Sequence, residues 1–338
     1  MYQRVDGGKL LIIGDLHISD RPSVGRHKDY MTNCFSVLRN ILDMVQEQKP
    51  SALVLLGDIV GTVERNLKSR EVLAMVCKFF TDIRATGCKV FCVRGNHDFG
   101  DYPDFQFFAS LGLFETAESC GGFFDYYGTS ESTVPEIRFH LVDYGSETRK
   151  LDIVEEGVTN IVLAHNNFTI QGITTWYDAA GGYELSSMQN FAGVYLVIAG
   201  HIHNPSPQLF STHMMCGGTC SLFYVGCPTR PAELHETCWV VEFNYNNETK
   251  ETDYDAKEWQ LRSNNDVFYL DDTFVEEMTE EEIADATRKE QLKEVLEEII
   301  TCRIGGVDLV SQIMSIPNAT DDAKKMACQY INLAMNNK

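Results

Sequence analysis

Short apolar runs alternate with longer segments of helical periodicity through the first hundred residues. KLLII at 9–13, ALVLL at 52–56 and KVFCV at 89–93 read as buried strands. Between them, residues 29–48 place Met31, Phe35, Leu38, Ile41, Leu42 and Val45 at helical spacing. Residues 66–86 repeat the pattern with Val72, Met75, Val76, Phe79, Phe80 and Ile83, and Gly87 stands where a C-terminal cap falls. This β-α-β-α-β order predicts parallel strands joined by right-handed crossovers. Farther on, IRFHLV, NIVLAH, VYLVIAG, SLFYVG and CWVVEF are strand-like runs separated by loops, and helical patterns are scarce until about residue 275. A second sheet packed on the first is expected, giving an α/β fold built as a four-layer α/β/β/α sandwich. The segment 166–193, with Gly172, Gly181 and Gly182, is long for a connection and reads as a functional loop.

The end of the chain changes character. Thr279 and Glu282 form a capping box, and Leu292, Val295, Leu296 and Ile299 give the following helix one apolar stripe. Residues 306–336 read as further helix, interrupted near Pro317. The expected division is a main domain at 1–245 and a C-terminal extension at 246–338. The extension is mainly helical and either packs onto the main domain or serves as a partner or homodimer contact.

Composition narrows the picture less than the pattern does. The chain has 338 residues and a formal charge of −21, whereas nucleic-acid-binding domains are usually basic. The charge is uneven: residues 271–298 hold twelve acidic and three basic side chains. No apolar stretch is long enough to span a bilayer and no secretory leader is evident, so a cytoplasmic protein without membrane contact is expected. Eleven cysteines scattered through strands and helices then read as free thiols. The densest group, Cys216, Cys220 and Cys227, lacks the paired knuckle of a zinc site.

Candidate chemistry lies at the ends of the strand-like runs. Asp15 and His17 stand in IGDLHIS, Asp58 in LLGDIVG, Asn96 in RGNHD, His165 in LAHNN, and His201 and His203 in AGHIHN. Successive strand ends are where an open α/β sheet forms its binding crevice. Residues two apart in extended chain point the same way, so Asp15 with His17, and His201 with His203, can each address one ion. Asp58 has two oxygens and suits a bridge between two cations, while Asn96 offers a neutral carbonyl. The mixed oxygen and imidazole set fits manganese, iron or zinc better than calcium. Two ions about 3.5–4 Å apart can bind a phosphoryl oxygen, generate hydroxide and stabilise the transition state of phosphoester hydrolysis. His97 diverges from its neighbour Asn96 and is placed to protonate a leaving oxygen. Asp98 either orients His97 or caps the turn. His27, His140, His213 and His235 read as structural.

The set DLH, GD, GNHD, H and GHIH resembles the calcineurin-like metallophosphoesterase superfamily over roughly residues 9–245. The resemblance implies that Asp15, His17, Asp58, Asn96, His165, His201 and His203 are metal ligands and that His97 is the catalytic histidine. GDIVGTV and GNHD depart from the GD-x-x-D-R-G and GNHE of phosphoprotein phosphatases. The early DLH, the YVGCPTRP segment after the GHIH strand and the C-terminal extension are more similar to the nuclease subunit of the SbcCD-type repair exonuclease, including its bacteriophage versions. That likeness implies manganese, with iron, zinc or magnesium as alternatives. It also implies an SMC-like ATPase partner and exonuclease and endonuclease action on DNA, in the host cytoplasm if the chain is phage-encoded. One departure is Gly61, at the position where such nucleases carry a second histidine. Arg65, Lys68 and Arg70 offer a small basic cluster either for phosphate contact or as a solvated helix face. The alternatives are a phosphodiesterase or phosphatase acting on small nucleotides or phosphoproteins, and a protein of this fold that binds a host or partner protein.

Overall fold

The computed structural model describes residues 3–19, 30–61, 70–98, 104–154, 157–170, 182–230, 235–246, 248, 249, 251–263 and 267. In chain order the elements are β1 (Gln3–Asp6), β2 (Lys9–Ile13), α1 (Tyr30–Gln48), β3 (Ala52–Leu55), α2 (Arg70–Ala85), β4 (Lys89–Cys92), α3 (Asp104–Ser110), β5 (Glu115–Thr116), β6 (Phe123–Tyr127) and β7 (Ile137–Val142). There follow β8 (Thr159–His165), β9 (Phe168–Thr169), β10 (Tyr183–Glu184), β11 (Val194–Gly200), β12 (Phe210–His213), β13 (Thr219–Tyr224), β14 (Thr237–Asn246) and β15 (Glu251–Gln260). The three early strands and two helices fall where periodicity puts them. Gly87 has φ 87°, and its amide closes the end of α2 on the Arg84 carbonyl. A side chain would resist that left-handed conformation.

Two sheets carry the structure. One runs β15-β14-β2-β3-β4-β5, and the other β1-β6-β7-β8-β11-β13-β12. Strands β2 to β5 are mutually parallel, as are β7, β8, β11 and β13. Strict alternation along each buried strand sorts its side chains into layers. On the first sheet Leu11, Ile13, Leu53, Leu55 and Val90 face α1 and α2, which answer with Val37, Ile41, Val45, Val76, Phe80 and Ile83. The alternate residues Leu10, Ile12, Val54 and Phe91 face the second sheet and meet Phe124, Phe139, Ile161, Leu163 and Ile198. The outer face of the second sheet, with Val162, Ala164, Val197, Ala199 and Leu222, is covered by Leu185, Met188 and Phe191. Those residues lie in and between two 3-10 turns, Leu185–Ser187 and Gln189–Phe191, so the expected fourth layer is helical but thin here.

The sheet continues past residue 245, where the extension was expected to begin. Strands β14 and β15 form a ten-residue antiparallel ladder on the edge of the first sheet. The chain divides into compact units at Met1–Leu270 and Asp271–Lys338. The second unit lies outside the described residues, as do the capping box at Thr279, the stripe from Leu292 to Ile299 and the helix expected at 306–336. His27, Arg65 and Lys68 lie outside them too. Among the described residues, no helix is long and apolar enough to cross a membrane.

Phe139 is the hinge of the inter-sheet core. It is fully buried, stacks on Phe124 with centroids 5.0 Å apart, and meets Phe243 edge-on at 5.1 Å. Removing a buried aromatic leaves a cavity as well as losing transfer free energy. Phe139→Ala is therefore expected to lower unfolding free energy by about 3–5 kcal/mol in urea denaturation, whereas a loss below about 1 kcal/mol would show that the sheets pack independently of it.

Candidate metal centre

Every residue proposed as a ligand lies at the C-terminal end of a parallel strand, and the two sheets bring those ends to one edge. Asp15 and His17 follow β2, Asp58 follows β3, and Asn96 follows β4. His165 ends β8, and His201 and His203 follow β11. The first sheet thus supplies the carboxylates and the amide, and the second supplies three of the four imidazoles.

Distances divide the set into two halves that meet at Asp58. His17 Nε2 lies 3.3 Å from Asp58 Oδ2, and His165 Nε2 lies 3.2 Å from the same oxygen. On one side, His17 Nε2 and His203 Nε2 stand 2.9 Å apart, and His203 Nε2 is 3.9 Å from Asp15 Oδ2. The donor atoms of Asp15, His17, Asp58 and His203 all lie within 4.8 Å of one another. On the other side, Asn96 Oδ1 sits 2.9 Å from His165 Nε2 and 2.9 Å from His201 Nδ1. All seven candidates therefore converge, with the Asp58 carboxylate between the halves.

The backbone is bent to achieve this. His17, Asp58 and His201 have φ values of 43°, 46° and 74°, a left-handed region that non-glycine residues rarely occupy. Neighbouring glycines let the chains approach: a Cβ on Gly95 would run into the Asp58 carboxylate, and one on Gly200 into that of Asp15. Amides fix the carboxylates, His97 N donating to Asp58 Oδ1 at 2.8 Å and His201 N to Asp15 Oδ2 at 2.9 Å. His165 Nδ1 contacts the Leu56 carbonyl at 2.6 Å, which leaves its Nε2 directed inward.

The electrostatics fit cations. Among the described residues, Asp15 Oδ1 is buried without a hydrogen-bond partner, with His165 Nδ1 3.6 Å away, an arrangement that is costly unless a positive group meets it. Burial works to raise the Asp58 carboxyl, but the imidazoles of His165, His17 and His97 outweigh it and hold Asp58 well below the usual carboxylate range. Burial drives His17 well down and His201 to about 4, so both are neutral donors. His165 is the exception. Burial lowers it, yet the Asp15 and Asp58 carboxylates prevail and raise it to about 9. Burial also lifts Asp15 to about 6.

His97 is separate from this cluster in orientation. Its Nε2 is 3.9 Å from Asp58 Oδ2, its ring meets His17 edge-on at 4.9 Å, and its side chain is 29% exposed. Asp98, one of whose expected roles was to orient His97, has its own backbone partners. The Asp98 carboxylate accepts the amides of Ile59 at 3.1 Å and Gly95 at 2.8 Å, tying the Asp58 turn to the Asn96 turn. The sequence alternative of turn capping is the one the geometry supports. Gly61 packs against the His17 carbonyl, where a Cβ would sit 3.3 Å away.

Several supporting residues carry no signal as isolated letters. Tyr30 on α1 donates to the His17 carbonyl at 2.9 Å, Thr229 donates to that of Leu16 at 2.6 Å, and the Cys227 thiol points at that of Asp15 at 3.2 Å. The YVGCPTRP segment thus holds the first motif from behind. His235 lies in the same support, with Nε2 3.0 Å from the Cys227 carbonyl. Cys216 and Cys220 belong to the outer core while Cys227 supports the first motif, and among the described residues these cysteines form no metal-ligating group. His140 is buried beside Asn160 and His213 is on the surface, both away from the cluster.

A raised His165 has a consequence for metal uptake. At neutral pH its proton must leave before the imidazole can act as a ligand. Binding should therefore release protons, and affinity should fall as pH drops from about 9 at His165 and again below about 6 at Asp15. Calorimetric titration with Mn²⁺ in two buffers of different ionisation enthalpy measures this directly. Identical heats in both buffers at neutral pH would contradict it.

No curated protein matches the chain. Among solved structures, a dimetal phosphatase from Danio rerio aligns with TM-score 0.46 and 12% identity, covering 76% of this chain and 98% of its own. A protein from Thermus thermophilus aligns with TM-score 0.41 and 11% identity, covering 74% and 98%. Residues 8–205, more than half the chain, match the calcineurin-like phosphoesterase family, and they contain all seven convergent residues together with His97. The chain belongs to the calcineurin-like phosphoesterase family.

Proposed function

We propose that this chain is a manganese-dependent phosphodiester hydrolase whose substrate is DNA, cut from ends and within single strands. The observation that carries the hydrolase reading is the placement of Asp58 Oδ2 between His17 and His165, with His97 beside it. Metallophosphoesterases bind two divalent ions, and the donor set here fits that requirement. Asp15, His17 and His203 would hold one ion; Asn96, His165 and His201 would hold the other; Asp58 would be shared. Bound there, the ions supply Lewis acidity toward a phosphoryl oxygen and lower the pKa of water. The chain's own groups do the rest. Backbone hydrogen bonds to the Asp58 and Asp15 carboxylates and the His165 contact with the Leu56 carbonyl hold these side chains in place. His97, partly open to solvent, donates a proton to the departing oxygen.

DNA rests on the likeness of the early DLH, the YVGCPTRP segment after the GHIH strand and the C-terminal extension to the SbcCD-type nuclease, and the same likeness proposes an SMC-like ATPase partner. A second reading, hydrolysis of small nucleotide phosphodiesters, is favoured by the charge of −21, which opposes a long polyanion. The two are separated by incubating the manganese-loaded chain with linear duplex, single-stranded DNA and a nitrophenyl phosphodiester in parallel. The DNA reading expects cleavage of the strands. Hydrolysis of the small ester alone would refute it.

Asp58→Ala should abolish hydrolysis and leave fewer than two ions bound in metal analysis. Near-normal turnover by a folded Asp58→Ala protein would sink the shared-carboxylate assignment.

His97→Asn should keep the metal content and slow cleavage by roughly 10²–10⁴-fold on a substrate with a poor leaving group. The loss should shrink with a nitrophenolate leaving group, which departs without a proton. An equal loss on both, or loss of metal, would show that His97 is not the acid.

A further inference from the structure

The strand-end rule that gathers the ligands places one more side chain at the same edge. Strand β7 ends at Val142, and Tyr144 follows it beside β8 and β11. The Tyr144 ring lies 5.6 Å from the His201 ring, tilted by 41°, and 6.4 Å from the His165 ring. It is nonetheless 39% exposed, so part of its surface is open to solvent at the edge of the metal centre. Its backbone is pinned: Tyr144 N donates to the Arg94 carbonyl at 2.9 Å, and Arg94 N donates to Asp143 Oδ1 at 2.8 Å. Since Arg94 immediately precedes Gly95 and Asn96, the tyrosine is held in register with the turn that carries a ligand. Tyr183, 40% exposed, hydrogen-bonds Glu147, three residues beyond Tyr144, and its amide donates to the Asn167 carbonyl at 2.8 Å. A second exposed ring thus stands on fixed backbone on the same side of the second sheet's strand ends.

We propose that Tyr144, with Tyr183 on the same side, is a stacking platform for the nucleobase next to the scissile phosphate, and so determines specificity for nucleotide-bearing phosphodiesters. This deepens the reading above and rests on it for the position of the phosphate. An exposed tyrosine face gives a base a flat surface at low entropic cost, without reading its edge, so the preference would be for any base over none. The platform also answers a difficulty of charge. A chain at −21 gains little from long-range attraction to a polyanion, and stacking is a contact that net charge does not oppose.

The test compares a thymidine nitrophenyl phosphodiester with its methyl counterpart, which has the same leaving group and no base, on the full manganese-loaded chain. Wild type should show a lower KM for the thymidine ester. Tyr144→Ala should raise that KM about tenfold more than it raises KM for the methyl ester, and Tyr144→Phe, which keeps the ring, should restore the preference. Tyr195→Ala removes a more exposed tyrosine at the opposite, N-terminal end of β11, and should leave the preference as it is. No preference in wild type, an equal rise for both esters in Tyr144→Ala, or no recovery with phenylalanine would overturn the platform. Calorimetric binding of thymidine monophosphate separates the two readings. A chain that binds it no tighter than methyl phosphate overturns the platform alone. A chain that binds it through Tyr144 yet hydrolyses no phosphodiester overturns the hydrolase reading alone.

Discussion

A single buried carboxylate organises the molecule's chemistry. Asp58 is 1% exposed and stands against imidazoles from both sheets, with His17 on one side and His165 on the other. Two carboxylates and several imidazoles packed this closely repel and desolvate one another, and the opposed shifts at Asp15, His165 and His201 express that conflict. Multivalent cations resolve it. They meet the orphaned Asp15 oxygen, accept neutral imidazoles as ligands and offset the buried negative charge. Crowding these groups costs stability, and bound cations would offset it.

The scaffold bears that cost because the centre sits at an edge rather than inside a layer. Three hydrophobic clusters, one on each side of the two sheets and one between them, are formed by alternating residues whose partners are equally apolar. Strand interiors supply stability, and strand ends are released for polar work. The strained φ angles at His17, Asp58 and His201 occur just beyond those ends. Backbone donors from His97, His201, Ile59 and Gly95 then lock the turns to the carboxylates of Asp58, Asp15 and Asp98. Asp98 illustrates the division of labour: its carboxylate joins the two turns whose spacing the centre requires.

On the reading proposed above, substrate choice is made outside the ligand set. A net charge of −21 gives nucleic acid no long-range attraction, and the proposed short-range contact is the partly exposed Tyr144 ring, held on anchored backbone beside His201.

What the sequence by itself determined was periodic or adjacent. The alternation in KLLII, ALVLL and KVFCV, and the helical stripes after them, are local consequences of side-chain geometry, and the strands and helices fall accordingly. The ligand motifs were legible because each is a polar departure directly after an apolar run. Tertiary structure decided what depends on distance. Asp58 lies 107 residues from His165, yet the two meet at 3.2 Å only because separate sheets pack face to face. The role of Asp98 could not be read from its place next to His97, since its partner Ile59 is 39 residues away. Cys227, Thr229 and Tyr30 looked ordinary because their targets are carbonyl oxygens, which every residue possesses and no sequence pattern marks. Tyr144 obeys the same strand-end rule as the ligands, but only the parallel order of β7, β8 and β11 sets its ring beside His201.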